Sequence, residues 1–461
     1  MRKIFTLFVV LTLFVATSVG RNYEGYYTSL PVEMAVPTLP TIPDNSVSVT
    51  DFGGVGDGLV LNTEPFARAI AALDKMGGGH LVVPAGVWLS GPIVLKDNID
   101  LHLERNAILL ATPDRTQHLK EGKTLTFISA SKRKNISITG EGVVDGNGEV
   151  WRPVKRTKVS DTEWKRFTRM GGTIDEKNGV WYPYDLTHLA NIAEGAKKQE
   201  KLRTHLVRFT DCENVLVSGV TLQNAPKFHL IPTRCKNVVI DGLTVRCPWN
   251  AQNGDGIDLS SCRNVLVVNN MVDVGDDGIC LKAGAGASGE KYGPCENILI
   301  VDNTVNHAHG GFVIGSEYSG GARNIVVRGN TFSGTDTGLR FKSGLGRGGV
   351  CENIYISDIY MTDIVGEAVI FDCTYENRAV GAEGEVAAKS SAYAPQFCDI
   401  HISNVVCRGC ELPVRSTGIE GYRTVYGVTI TSSTFFHTGP VAARVDAHSE
   451  IEITDCVFDT W

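Results

Sequence analysis

Charge is scarce in this 461-residue chain: Lys, Arg, Asp and Glu together make up 21% of it. That scarcity, beside 50 glycines, argues against a helical protein and for one built of strands and turns. What charge there is leans acidic, to a net −7, so the surface offers nucleic acid no general attraction. Long apolar runs are missing beyond the first residues, which excludes a chain that crosses the membrane repeatedly. Cysteine is missing before Cys212, so no lipid-anchor cysteine follows the leader. The leader itself, "MRKIFTLFVVLTLFVATSVG", has a basic tip, an apolar run and small residues. It reads as a signal peptide over residues 1–20, cleaved near residues 18–22. Its apolar run, Ile4 to Ala16, is too short to span a bilayer comfortably. The expectation is a secreted or periplasmic protein without a membrane anchor. It has an N-terminal extension over 21–47 and one catalytic domain over 48–461, with insertions near 150–203 and 375–396.

Apolar residues make up 43% of the chain, enough for a large core. A phrase recurs through it: "CENVLVSGV" from Cys212, "CKNVVIDGL" from Cys235, "CRNVLVVNN" from Cys262, "CENILIVDN" from Cys295, "ARNIVVRGN" from Ala322 and "CENIYISDI" from Cys351. An earlier copy, "RKNISITGE", starts at Arg133. The asparagines at 214, 237, 264, 297, 324 and 353 are spaced by 23, 27, 33, 27 and 29 residues. A period in this range marks a solenoid. Short β-branched strands with no helix between them predict an all-β, right-handed parallel β-helix. Stacked coils lie about 4.8 Å apart, so the asparagines should form a ladder, and the cysteines before them a small apolar stack rather than disulfides. "LNTEPFARAIAALDKMGGGH" supplies an N-terminal capping helix. Asn62 or Thr63 would cap it, Pro65 suits its first turn, and Phe66, Ala69, Ile70 and Leu73 share a face that Gly77 ends.

Aligning four coils on Gly256, Gly278, Gly311 and Gly338 separates inside from outside. Ile257, Ile279, Phe312 and Leu339 point inward, as do Leu259, Leu281, Ile314 and Phe341. The intervening row carries Asp258 and Arg340, and the next carries Lys282 and Lys342. Just before the glycines stand Asp255, the pair Asp276 and Asp277, His309 and Asp336. An aspartate beside a glycine is ordinarily a turn residue, and an outward lysine or arginine is ordinarily solvated. Their coincidence on consecutive coils gathers three acids at one end of a patch and Arg340 with Lys342 at the other, His309 lying between. Two carboxylates about 5 Å apart repel by roughly 3 kcal/mol at an effective dielectric near 20. That is about two pKa units, enough to keep one acid protonated in mildly acidic water. A proton donor beside an ionised partner is what glycoside cleavage requires. Arg340 and Lys342 suit an anion such as a sugar carboxylate. Asp258, Lys282 and Asp336 are ambiguous on sequence alone, and Asn253 is placed to orient an acid or a ligand.

At these residues the chain resembles the polygalacturonase family of glycoside hydrolases, family 28. Its signatures N-T-D, G-D-D, G-H-G and R-I-K stand here as "NGD" (Asn253–Asp255), "GDD" (Gly275–Asp277), "AHG" (Ala308–Gly310) and "RFK" (Arg340–Lys342). The departures are Gly254, Ala308 and Phe341. The resemblance implies an inverting pectin hydrolase. In it Asp276 is the general acid, Asp255 and Asp277 activate water, and His309 tunes the acid or touches substrate. Asn253, Arg340 and Lys342 bind substrate, with Arg340 and Lys342 on a galacturonate carboxylate. It implies no metal and no cofactor, a pectic poly- or oligosaccharide as partner, and a monomer. The insertion at 150–203 could wall off one end of the groove, which favours exo release of galacturonic acid. The rival readings are a rhamnogalacturonan or substituted-pectin hydrolase of the same family, a calcium-dependent pectate lyase, and a non-catalytic carbohydrate-binding solenoid.

Overall fold

The computed structural model describes residues 22–189, 191–375 and 391–461. The leader and most of the second insertion lie outside them. The chain winds into a right-handed parallel β-helix with two long parallel sheets, one of 23 strands and one of 11. The 11-stranded sheet positions the site. In chain order its strands are β1 (Ile93–Val94), β2 (Ile128–Ser131), β3 (Val207–Thr210), β4 (Leu230–Thr233), β5 (Ile257–Ser260), β6 (Asp277–Lys282), β7 (Gly310–Gly315), β8 (Leu339–Lys342), β9 (Glu367–Asp372), β10 (Leu412–Thr417) and β11 (Ala443–Val445).

Register follows the glycine alignment. Ile257 pairs with Ile279, Ile279 with Phe312, and Phe312 with Leu339. The reason for glycine there is close approach. A Cβ on Gly256, Gly278, Gly311 or Gly338 would lie 2.3–2.6 Å from a core side chain: Val272, Val305, Phe332 or Met361. Inside, like stacks on like, and Phe341 lies flat against Phe371 with ring centroids 4.4 Å apart.

The asparagine ladder forms as expected. Each side chain donates to the one a coil below, from Asn135 on Asn98 up to Asn353 on Asn324, at 2.5–3.2 Å. All of them sit at φ between 54° and 60°, a left-handed conformation that asparagine tolerates better than other side chains. The cysteines ahead of them are free and buried. Their thiols reach backbone carbonyls of the coil below, Cys235 on Phe209 O and Cys262 on Pro232 O. A second, buried ladder was not foreseen. Asn270 donates to Asn303 at 2.8 Å, and Asn303 to Asn330 at 2.9 Å.

Helix α1 (Thr63–Lys75) buries Phe66, Ala69, Ile70 and Leu73. It packs on the first strands of both sheets, Ser46–Ser48 and β1. Neither expected cap residue caps it. The Asn62 side chain instead accepts from Val55 N–H and donates to the carbonyls of Val55, Val60 and Leu89, while Thr63 Oγ accepts from Gly91 N–H. Both side chains tie the helix to neighbouring turns, which leaves no oxygen for the helix's own N–H groups.

The extension at 21–47 does more than precede the domain. Tyr23 and Met34 pack with Val239, Leu266, Val268, Leu299, Val301 and Val326 on the outer face of the larger sheet, and Tyr23 Oη donates to Asp241 at 2.8 Å. This strap explains why runs such as Val265–Val268 are apolar on both faces. The first insertion folds into a small antiparallel sheet and two helices, α2 (Asp161–Arg169) and α3 (Ile192–Glu200). Among the described residues no helix is long and apolar enough to cross a membrane.

Candidate active site

Strands β5 to β8 bring every sequence-predicted residue to one patch. Asp276, Asp277 and His309 each offer an atom within 4.8 Å of the others. His309 Nδ1 donates to Asp276 Oδ1 at 3.0 Å. Asp276 also accepts from the backbone N–H groups of Asn253, at 3.1 Å, and Asp277, at 3.1 Å. Asn253 therefore orients an acid through its main chain. Its side-chain oxygen accepts from Arg203 Nη2 at 2.8 Å.

The basic pair does not stand apart from the acids. The Lys342 ammonium donates to both oxygens of Asp277, at 3.0 and 2.8 Å, and the residue is buried. Arg340 Nη1 is 3.6 Å from Asp277 Oδ1. The expected two-ended patch is thus folded onto itself, because a buried Asp277 needs a cation at contact distance. Arg340 keeps more exposure, and the ring of Tyr375 lies 5.7 Å from its guanidinium.

Two residues left ambiguous by sequence lie at the centre. Lys282 Nζ stands 3.6 Å from Asp255, 3.7 Å from Asp258 and 3.8 Å from Asp277. Among the described residues neither oxygen of Asp258, nor Oδ1 of Asp255, has a hydrogen-bond partner. Burial, then the charge of Asp258, pushes Asp255 well above the ordinary carboxylate range. Burial likewise pushes Asp258 up to about 7. Burial also acts upward on Asp277, but Lys342, Lys282 and Arg340 outweigh it and hold that carboxyl far down. For Asp276 the upward pull of burial is overcome by the His309 hydrogen bond, so it too lies below its usual value. Burial, with like-charge repulsion behind it, therefore divides the acids in the opposite sense to the expected one. In the protein alone Asp255 and Asp258 are driven toward the protonated form and Asp276 and Asp277 toward the ionised form, whereas the expectation put the proton on Asp276.

Sequence reasoning missed two residues outright. Lys158, from the first insertion, stands 3.3 Å from His309 Nε2. The imidazole tautomer with hydrogen on Nδ1 satisfies both Lys158 and Asp276. Arg203, where that insertion rejoins the coils, is buried, pairs with Glu200 at 2.8 Å and fixes Asn253. Their only signal was the charge density of the insertion. Of the motif departures, Gly254 has a local reason: a Cβ there would lie 2.8 Å from Cys247 Sγ. Ala308 is buried and Phe341 is core. As for a metal, Asp276, Asp277 and His309 could each offer a ligand atom, but Lys342 and Lys282 already supply two cations beside Asp277, and a divalent ion there would face both. Beside the patch, a cleft of about 1000 Å³ runs past Arg246, Trp249 and Lys158, with Trp249 stacked on His307 at 3.8 Å.

Comparison with known proteins agrees with this constellation. The model of glycosyl hydrolases family 28 matches residues 155–405. A probable polygalacturonase of Vitis vinifera is 30% identical over 86% of this chain and 82% of its own length. An exo-poly-alpha-D-galacturonosidase of Dickeya chrysanthemi is 27% identical over 80% of this chain and 63% of its own, so the chain spans less than two thirds of that relative. Among solved structures, a hyperthermoactive exopolygalacturonase of Thermotoga maritima superposes with a TM-score of 0.76 at 31% identity, covering 92% of this chain and 94% of that one.

Proposed function

The chain belongs to glycosyl hydrolase family 28 and is a glycoside hydrolase, and on that premise we propose that it is an exported enzyme releasing galacturonic acid from chain ends of pectic oligosaccharides by single displacement. The observation that carries the exo reading is the reach of the first insertion into the acid cluster. Lys158 touches His309 and Arg203 fixes Asn253, so the insertion is a wall of the groove and not a remote decoration. A groove walled at one end admits a chain terminus and excludes a chain middle. Relatives described as exo-acting support the same reading.

In the proposed chemistry Asp276 protonates the leaving oxygen. It is the most exposed of the clustered acids and the one that His309 holds. The protein alone favours its ionised form, but a uronate carboxylate docked beside it opposes ionisation and raises its pKa. Asp277, which Lys342 and Lys282 hold ionised, takes the proton from the attacking water, and Asp255, on the other side of Lys282, holds that water in place by a hydrogen bond. Arg340 takes the substrate carboxylate, and Lys342 keeps Asp277 charged. The test of exo action is digestion of an oligogalacturonide labelled at its reducing end. Monomer should appear first while the labelled product shortens one residue at a time, and an early spread of mid-sized products defeats the proposal.

A further inference from the structure

The cations around the acid cluster are nearly all spoken for. Lys342 has Asp277, Lys282 has three acids, Arg203 has Glu200, and Arg234 holds Asp211 through two bonds at 2.7 and 3.0 Å. Two are not. Among the described residues, neither Arg208 nor Lys227 makes an ion pair or side-chain hydrogen bond, and Arg208 Nε is buried without a partner. His205 Nδ1, next to them, is also buried and unpartnered. Arg208 stands outward on β3, paired with Ile231 of β4, whose neighbour Leu230 pairs with Ile257 of β5. That places it two coils from Asp258 on the same outward row, on the side of the acids opposite Arg340. Lys227 precedes the turn where His229 N–H donates to Asp255 O at 3.0 Å. Next to Lys227 in the chain stands the half-buried ring of Phe228. Its centroid is 5.1 Å from that of His205, 5.5 Å from Lys227 Nζ and 5.7 Å from Lys282 Nζ.

Half-burying unpaired cations costs free energy unless an anion meets them. We propose that Arg208, Lys227 and His205 form a second carboxylate-binding site, in which the terminal uronate ring of the substrate rests on Phe228 with its carboxylate on Arg208. Burial first, then Arg234, weakens the hold of Arg208 on its proton, and no group among the described residues compensates. An aromatic face beside cationic donors is suited to an acidic pyranose, since the ring takes C–H contacts and the donors take the charge. With Arg340 beyond the acids, the site reads one carboxylate on each side of the scissile bond. This inference rests on the proposed function and names the recognition of the released sugar.

Calorimetric binding of galacturonate and of galactose to the intact protein tests it. Wild type should prefer galacturonate. Arg208→Gln should weaken galacturonate binding about ten-fold, the scale of a lost charge-assisted bond, and shrink the preference over galactose by a similar factor. Arg208→Lys should recover part of it. If both sugars weaken equally, or the preference survives Arg208→Gln, Arg208 only shapes the wall and the proposal is overturned. The two readings fail separately. Uronate binding that depends on Arg208 in a protein unable to release sugar from oligogalacturonides sinks the proposed function alone. Hydrolysis with binding indifferent to Arg208 sinks this site alone.

Discussion

Two kinds of polar stack run along this β-helix at the same coil spacing, asparagines and carboxylates, and they differ in how fully they are satisfied. In the asparagine ladders each amide carries both donor and acceptor, so every rung bonds the next, and Asn303 alone bonds Asn270, Asn330 and the carbonyls of Val267 and Val301. On β5 and β6 the stacked groups are carboxylates, which when ionised only accept. Stacking them leaves oxygens of Asp255 and Asp258 without partners and forces Lys282 and Lys342 in among them. One register rule thus produces a brace where the side chain is self-complementary and an unrelieved, reactive site where it is not.

The largest effect should come from the unsatisfied stack. Asp276→Asn keeps an oxygen for His309 but has no proton to give, so hydrolysis of oligogalacturonide should fall about 10³-fold, within the range of a lost general acid. Sugar release measured beside a thermal melt separates this from unfolding, because the melt should move by only a few degrees. The brace should answer in the opposite sense. Asn303→Ala orphans the N–H groups of Asn270 and two carbonyls in the core, and should cost on the order of 3 kcal/mol of stability. Activity per folded molecule should persist below the lowered melting temperature. Urea titration and a rate assay on one preparation read both quantities.

The fold was legible because the β-helix writes its register into the sequence. Asparagine at one corner and glycine before the site strands recur for separable reasons, one left-handed backbone and one close approach, and both survive variable loop lengths. The identity of the acid cluster was legible for the same reason. Its internal pairing was not. Alternation assigns Lys342 and Asp258 to the outer face, but it cannot tell that both are buried there, and a covered outer row becomes a second interior where lysines turn to acids. The strap at Tyr23–Met34 was hidden likewise. Its signal was the run of apolar residues on both faces of Val265–Val268 and Ile298–Val301, a pattern that reads as strand without saying what covers it. Lys158 and Arg203 carry no periodicity at all, and only contact across the insertion reveals them.

The pH dependence of stability sharpens the contrast between carboxylates. Asp258 is held up to about 7 by burial, so the folded state keeps a proton that the unfolded chain has released above about 4. Its contribution is present at low pH and lost as pH rises from about 4 to 7. Asp277 runs the other way: its depressed value makes its contribution present above the ordinary carboxylate range and lost as pH falls. Asp258→Asn removes its own share of the first slope, leaving that of Asp255, which burial also raises, and leaves the second. Relative to wild type, the variant should gain about 2–4 kcal/mol between pH 4.5 and 7.5, read by urea unfolding at those two values.

The smallest effect tests why the outer ladder is asparagine. Asn264 has φ 55° and joins Asn237 below to Asn297 above, at 3.2 Å each. Two terms compete in any substitution, the left-handed backbone and the amide bonds. Asn264→Gly keeps the conformation at no steric cost and loses only half-exposed hydrogen bonds, worth about 1 kcal/mol. Asn264→Ala loses the same bonds and adds the strain of a Cβ in the left-handed region, another ~1 kcal/mol. The order of the two melting points therefore decides which term selected the residue. Glycine above alanine by several degrees means that backbone conformation chose it. Equal values mean that the amide chain alone did, and the ladder is then a brace held by side chains rather than a set of corners that happen to align.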